Sequence, residues 1–471
     1  MKRCILLLAD GARPDVFRQL LQEGRLPAIE KHLLKNGVFR SAVATFPSTT
    51  GPAYLPFLTG CYAGTCNLPG IRWFDRKKYA QGGLPFRSFR SYVGIESILM
   101  NRDINPQIRS LFQIIPNSVN IYNAINKGSP FRWNKTKFSR IFYAYYAHLT
   151  DRWSVIDKAS RRKLISALKT HPDLQFAFAV FPAIDEFSHI GDPFHPLTLK
   201  AYEGIDQIVG EVFRVLTRRG WQDETIVGIV SDHGLSSTHT HLPLNQFMEG
   251  EGFKVFYYPL ILKRRFSVAN MVSGNGMAHL YLKGRRGWGE PIFEEELLSY
   301  KGGLFQKLLN RPEIDIIACR NQKGEVVVTS RRGKARLWRE DGGIGYQVDA
   351  KESDPFGYPA LPLKMMEDEA LTRTFATDYP DALVQLLQIF RSERSGDLVL
   401  SASKGCDLRK RHEIPEHKSS HGSLIAEHML TPMILNFPIQ KKEVRTVDLF
   451  PTILKLLGKK IPTPIDGNSL V

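Results

Sequence analysis

Short runs of consecutive apolar residues, each closed by turn residues, recur along the chain at Cys4 to Ala9, Phe176 to Phe181, Thr225 to Val230 and Asp397 to Leu400. Runs of that length with little polar alternation predict strands buried on both faces. Between them lie longer stretches with helical apolar spacing, such as Leu199 to Arg218 and Asp381 to Phe390. The alternation predicts an α/β fold with a mainly parallel central sheet and helices on both faces. Ligands of such sheets gather beyond the carboxyl ends of the strands, so the residues that follow each apolar run matter most.

Two stretches break the rhythm. Residues 80–155 are basic and aromatic, above all from Phe131 to Tyr146, and are expected to form an inserted, packed and solvated segment. Residues 245–370 mix short strand patterns, such as Glu325 to Thr329, with Gly and charged turns, and read as a second insertion or cap. No repeat, low-complexity tract or flexible linker divides the chain, so 1–471 is expected to be one catalytic domain carrying two insertions. The opening Met1 to Asp10 has too brief an apolar run for a signal peptide and ends in Asp-Gly, so it is expected to be a strand. With no apolar run of membrane-spanning length, the expected location is the cytoplasm.

Composition changes this picture in two ways. The 43% hydrophobic and 24% charged residues exclude wholesale disorder. The net charge of +17 favours anionic partners, namely phosphorylated molecules or, more weakly, an acidic membrane surface; no specific nucleic-acid binding is expected. Five cysteines without framework spacing argue against a disulfide scaffold, and the close pair Cys61 and Cys66 reads as loop or core.

The chemistry lies in the loops after the strands. They read Asp10-Gly-Ala-Arg, then Asp185-Glu-Phe-Ser-His189, then Ser231-Asp232-His233-Gly234, and near the C-terminus His421-Gly422. Three Asp and three His are oxygen and nitrogen ligands suited to Zn²⁺, and the spacing of Asp185 and His189 lets both reach one ion from a helical turn. Two such ions form a clamp for in-line displacement at phosphorus. The stretch Pro47-Ser48-Thr49-Thr50-Gly51-Pro52, just before an apolar helical run, offers three hydroxyls. These have two readings. They cap the helix, or one is a nucleophile beside backbone N–H groups that receive phosphoryl oxygens.

These motifs, with the closing segments Val447 to Gly458 and Ile465 to Leu470, resemble the alkaline phosphatase superfamily. Within it they resemble the nucleotide pyrophosphatase/phosphodiesterase, or type I phosphodiesterase, branch. Its nucleophile motif Pro-Thr-x-Thr-x-Pro places Thr50 as the nucleophile. The resemblance implies two divalent metals, zinc by type, one on Asp185, His189 and His421 and the other on Asp10, Thr50, Asp232 and His233. It implies hydrolysis of phosphodiesters or pyrophosphates through a covalent intermediate on Thr50. The alternatives are a phosphomonoesterase or a transferase of phosphoryl or lipid headgroup units; a non-catalytic binding protein should have lost a ligand, and here every position is filled. The chain departs from the branch at Pro69 to Arg76, where Phe74 occupies the place of an Asn that holds a phosphoryl oxygen. Arg72 or Asn67 are the expected substitutes, and Arg72 would favour monoesters. His239 and His241 are expected to be solvated loop residues, and His417 is a candidate support beside His421 that nothing in the sequence fixes.

Overall fold

The computed structural model describes residues 1–136, 139–263, 265–409 and 416–471. Lys137 and Phe138, within the aromatic run from Phe131 to Tyr146, lie outside the described residues.

A seven-stranded sheet forms the centre, in the order Val444–Arg445, Val38–Val43, Leu430–Leu435, Thr225–Val230, Arg3–Ala9, Phe176–Phe181, Ser118–Ile121. Leu430–Leu435 pairs antiparallel with both its neighbours, and every other pairing is parallel. Every residue of Phe176–Phe181 and Thr225–Val230 is buried, which is why those segments carry apolar residues on both faces. Each such side chain withdrawn from water contributes about 1.5–3 kcal/mol against the entropy of ordering the chain.

Helices cover both faces of this sheet. The longest, Pro196–Arg218, starts on Pro196, with the His195 side chain accepting from Leu197 N. It buries Tyr202, Ile205, Val209, Val212 and Leu216 along one stripe. A helix that starts on Pro and buries one stripe at spacings of three and four is the arrangement its sequence predicts. No helix among the described residues is long and apolar enough to cross a membrane.

Nine further strands between Val255 and Ala402 build a second, mostly antiparallel sheet. Leu398–Ala402 sits inside it, antiparallel to both Met277–Leu282 and Ile314–Arg320. The apolar run at Asp397 to Leu400 is therefore a strand, but not one of the central sheet. A strand buried on both faces reads alike in either sheet, so its pattern carries no address. Ser118–Ile121 corrects the first stretch in the opposite direction, since it lies within 80–155 yet pairs with Phe176–Phe181 as the edge of the central sheet. All five cysteines are free, and Cys61 and Cys66 are buried.

Candidate active site

Three adjacent strands of the central sheet deliver most of the site from their carboxyl ends. Asp10 follows Arg3–Ala9, and Asp232 and His233 follow Thr225–Val230. Phe176–Phe181 leads into the helix Ala183–Ile190, which presents Asp185 and His189 one turn apart. His421 arrives from elsewhere. Its N–H donates to Gly274 O at 3.2 Å and its carbonyl accepts from Gly276 N at 2.8 Å, so a hairpin of the second sheet holds it. Gly274 has φ +60, and a Cβ there would stand 2.7 Å from His421 Nδ1. Only glycine fits that contact.

Asp185, His189 and His421 form one cluster and Asp10, Asp232 and His233 another, with the ligand atoms of each within 4.8 Å of one another. The His233 and His421 rings stack at 3.7 Å, so the clusters are neighbours. The histidines share one orientation. Nδ1 of His189 lies 2.7 Å from Ser419 O, that of His421 2.9 Å from Ser48 O and that of His233 3.1 Å from Gly234 O. A carbonyl only accepts, so each Nδ1 carries a hydrogen, and in the neutral ring each Nε2 keeps its lone pair. Those of His189 and His233 face carboxylates, Asp185 at 3.5 Å and Asp232 at 3.3 Å. Asp185 Oδ1 and Asp232 Oδ2 are buried without a hydrogen-bond partner. Lone pairs and carboxylate oxygens turned on one another repel unless a cation lies between them, and histidines held at Nδ1 are the usual supported ligands. The donor set therefore fits divalent metal at both clusters.

Electrostatics agree. Burial, then the Asp232 and Asp185 carboxylates, push Asp10 well above the usual carboxylate range. Burial and Asp185 push Asp232 up to about 8. Burial acts on Asp185 in the same direction, but its pairing with His189 outweighs it and holds Asp185 down. Burial and the neighbouring His233 keep His421 well below its ordinary value, hence neutral. Negative charge is thus crowded where water cannot screen it, a condition that added positive charge relieves.

The three hydroxyls separate cleanly. The short helices Pro52–Tyr54 and Leu55–Thr59 begin on Gly51 and Tyr54 without any side-chain cap. The capping reading therefore falls. Ser48 and Thr49 are buried, and Ser48 Oγ donates to Ser423 O at 3.0 Å. Thr50 is half-buried, with Oγ1 3.0 Å from His233 Nε2 and 3.3 Å from Asp10 Oδ1. It opens onto a cavity of about 280 Å³ whose walls include Tyr92, Tyr122, Arg140, Trp153 and Glu186.

Other expectations fare differently. Arg72 donates through Nη1 to Val272 O at 2.9 Å and lies over the Tyr258 ring, away from the cavity wall. Asn67 is a turn residue at φ 60 whose Oδ1 accepts from Ser392 at 2.7 Å. Neither lines the cavity beside Thr50. Phe74 is buried among Tyr79, Phe256, Phe266, Tyr281 and Trp288, so that position serves packing. His241 is not solvated, since it pairs with Asp407 at 3.0 Å and Glu416 at 3.2 Å. His417 stacks on His189 at 4.2 Å, and burial with His189 holds it down at about 2. Sequence reasoning missed Tyr54, whose hydroxyl donates to Asp10 Oδ2 at 2.5 Å. It also missed His428, which bonds Ser236 at 2.8 Å and Ser423 at 2.7 Å behind the site. Spacing carries no signal for either contact, although Arg140 and Tyr145 on the cavity wall fall in the basic aromatic run that did stand out.

The family model for type I phosphodiesterase / nucleotide pyrophosphatase matches residues 4–296. Among solved structures, human ectonucleotide pyrophosphatase/phosphodiesterase 5 is similar with a TM-score of 0.58 at 14% identity, over 99% of this chain and 97% of that one. An inactive threonine-to-alanine form of the murine protein in complex with AMP gives 0.56 at 14% identity, over 99% and 98%. Phosphonoacetate hydrolase from Sinorhizobium meliloti 1021, in complex with phosphonoacetate, gives 0.57 at 14% identity, over 97% and 95%. No curated protein matches the chain.

Proposed function

The chain belongs to the type I phosphodiesterase/nucleotide pyrophosphatase family and is a hydrolase of phosphoric esters, and within that frame we propose that it cleaves phosphodiesters or pyrophosphates through a covalent intermediate on Thr50. The observation that carries this is the place of Thr50, the one member of its hydroxyl trio that is not fully buried, set between the cluster of Asp10, Asp232 and His233 and an aromatic-walled cavity. A diester needs room for a second substituent beside the reacting phosphorus, and the cavity offers it.

Two divalent cations, zinc by donor type, held by Asp185, His189 and His421 and by Asp10, Asp232 and His233 with Thr50, would supply Lewis-acid charge that lowers the pKa of hydroxyl and water and neutralises phosphoryl oxygens. The chain does the rest. Thr50 Oγ1 bonds to phosphorus as the bond to the leaving oxygen breaks, and the hydrogen bond to Asp10 Oδ1 gives its proton an acceptor. Water then attacks the phosphorus and releases Thr50. Nδ1 contacts to Ser419, Ser48 and Gly234 carbonyls hold the three imidazoles in one tautomer throughout. The neighbour bound to AMP supports an anionic phosphorylated substrate here, and its inactive threonine variant supports the role of Thr50. Arg72 is not among the residues that line the cavity, which favours the diester reading over the monoester one.

The test compares Thr50→Ala, Thr50→Ser, Ser48→Ala and Thr49→Ala with bis-p-nitrophenyl phosphate, p-nitrophenyl phosphate and a nucleotide p-nitrophenyl ester, alongside elemental analysis. Thr50→Ala should lower turnover by about three powers of ten or more, as loss of a nucleophile does elsewhere, while Thr50→Ser keeps part of the rate. Near-normal turnover in a folded Thr50→Ala protein would sink the mechanism.

A further inference from the structure

The wall of the cavity does not stop at its mouth. Val93 and Tyr145 line it, yet are 43% and 55% exposed. Beyond them, on the same two elements, stand Ile95, Ile98, Phe142 and Leu149 at 56%, 59%, 66% and 83% exposure. Those elements are the 3₁₀ turn Gly94–Leu99 and the helix Ser139–Thr150, tied together by Arg140 Nη1 donating to Ser97 Oγ at 2.6 Å. Phe142, Tyr145 and Leu149 are three and four residues apart, so they form one stripe of the helix. That stripe faces solvent instead of core. An apolar surface of this kind marks an interaction site, and this one is continuous with the candidate active site.

Charge narrows the occupant. Residues 84–155 carry ten Lys and Arg against three Asp and Glu, and Arg87, Arg102, Arg132 and Arg152 are exposed there. A second copy of the chain would meet this surface with the same sign of charge, and a folded partner seated on Val93 and Tyr145 would shut the cavity. A fluid surface that is apolar inside and anionic at its face meets both demands, because its molecules can enter the cavity one at a time.

We propose that the surface made by Gly94–Leu99 and Ser139–Thr150 docks on an acidic phospholipid bilayer and admits a lipid-borne phosphodiester to Thr50. This rests on Thr50 as the reacting hydroxyl. The phosphate reaches the two clusters while the acyl part stays against Val93, Tyr145 and the apolar side chains outside them.

The test uses the full chain with vesicles of phosphatidylcholine alone and of phosphatidylcholine mixed with phosphatidylglycerol, at low and high salt. The protein should sediment with the acidic vesicles at low salt and release at high salt. The double variants Phe142→Glu/Leu149→Glu and Ile95→Glu/Ile98→Glu, none of them in the catalytic machinery, should bind about tenfold more weakly or worse, since each sets two carboxylates against an acidic surface. Their turnover of soluble bis-p-nitrophenyl phosphate should stay within about twofold of the parent, with unchanged thermal melts. Equal sedimentation of parent and variants would overturn the proposal, as would equal binding to neutral vesicles or none to acidic ones. Gel filtration in which the variants split an oligomer would assign the surface to a second copy instead. Failure of the Thr50 mechanism shows separately, as soluble-ester turnover that survives Thr50→Ala.

Discussion

Tyr54→Phe removes one oxygen from the site and leaves the rest of the side chain in place. The ring keeps its edge contact with Phe178, at 6.4 Å between centroids. What disappears is the hydroxyl that donates to Asp10 Oδ2 at 2.5 Å, between side chains only 4% and 2% exposed. Water has little access to replace it. A hydrogen bond to a charged group contributes about 1.5–3 kcal/mol, which converts to about 10- to 150-fold in an equilibrium constant. The effect should appear as weaker metal binding, because Tyr54 orients a proposed ligand, and loss of such a support elsewhere costs about 10- to 100-fold in affinity. Competition against a chromophoric chelator measures this directly, and steady-state kinetics at saturating metal should recover most of the rate. A thermal melt of the metal-free protein separates this from misfolding. Affinity within about twofold of the parent, in a well-folded variant, would refute the idea that Tyr54 sets Asp10 for a cation.

Three further predictions concern the frame around the site. Asp381→Ala takes from the Arg445 guanidinium, which is 3% exposed, its buried bidentate partner, bonded through Nε at 2.8 Å and Nη2 at 2.7 Å, and leaves it the exposed-side Asp368 carboxylate at 3.1 Å; urea unfolding should show a loss of about 3 kcal/mol. Phe74→Ala opens a hole in the aromatic cluster with Phe266 and Trp288 and should cost about 3–5 kcal/mol in the same assay. His279 is buried, with Nε2 2.9 Å from Pro69 O, and burial pulls it down to about 4 from 6.5. The unfolded chain therefore takes up this proton first as pH falls, so stability is lost between about 6.5 and 4, by about 3 kcal/mol in all. His279→Gln should flatten that part of the stability–pH curve; an unchanged slope would mean that His279 protonates freely in the folded state.

Local pattern alone was enough for the α/β class and for the loops that carry Asp10, Asp185, Asp232 and His233. A two-sided buried strand must be an unbroken apolar run, and the polar residue that ends it marks the rim where ligands gather. Helix spacing likewise announced that Asp185 and His189 share a face. Contacts between distant segments have no such local trace. Which sheet received Leu398–Ala402, how the Gly274 hairpin brought His421 to the other ligands, and that Tyr54 reached Asp10 were settled by packing between segments distant in sequence. The same holds for the three hydroxyls. In sequence Ser48, Thr49 and Thr50 are equivalent, and only the fold buries two of them and turns the third toward His233 and the cavity. A side chain's chemistry is written in its type, but its exposure and its partners depend on where the rest of the chain closes around it.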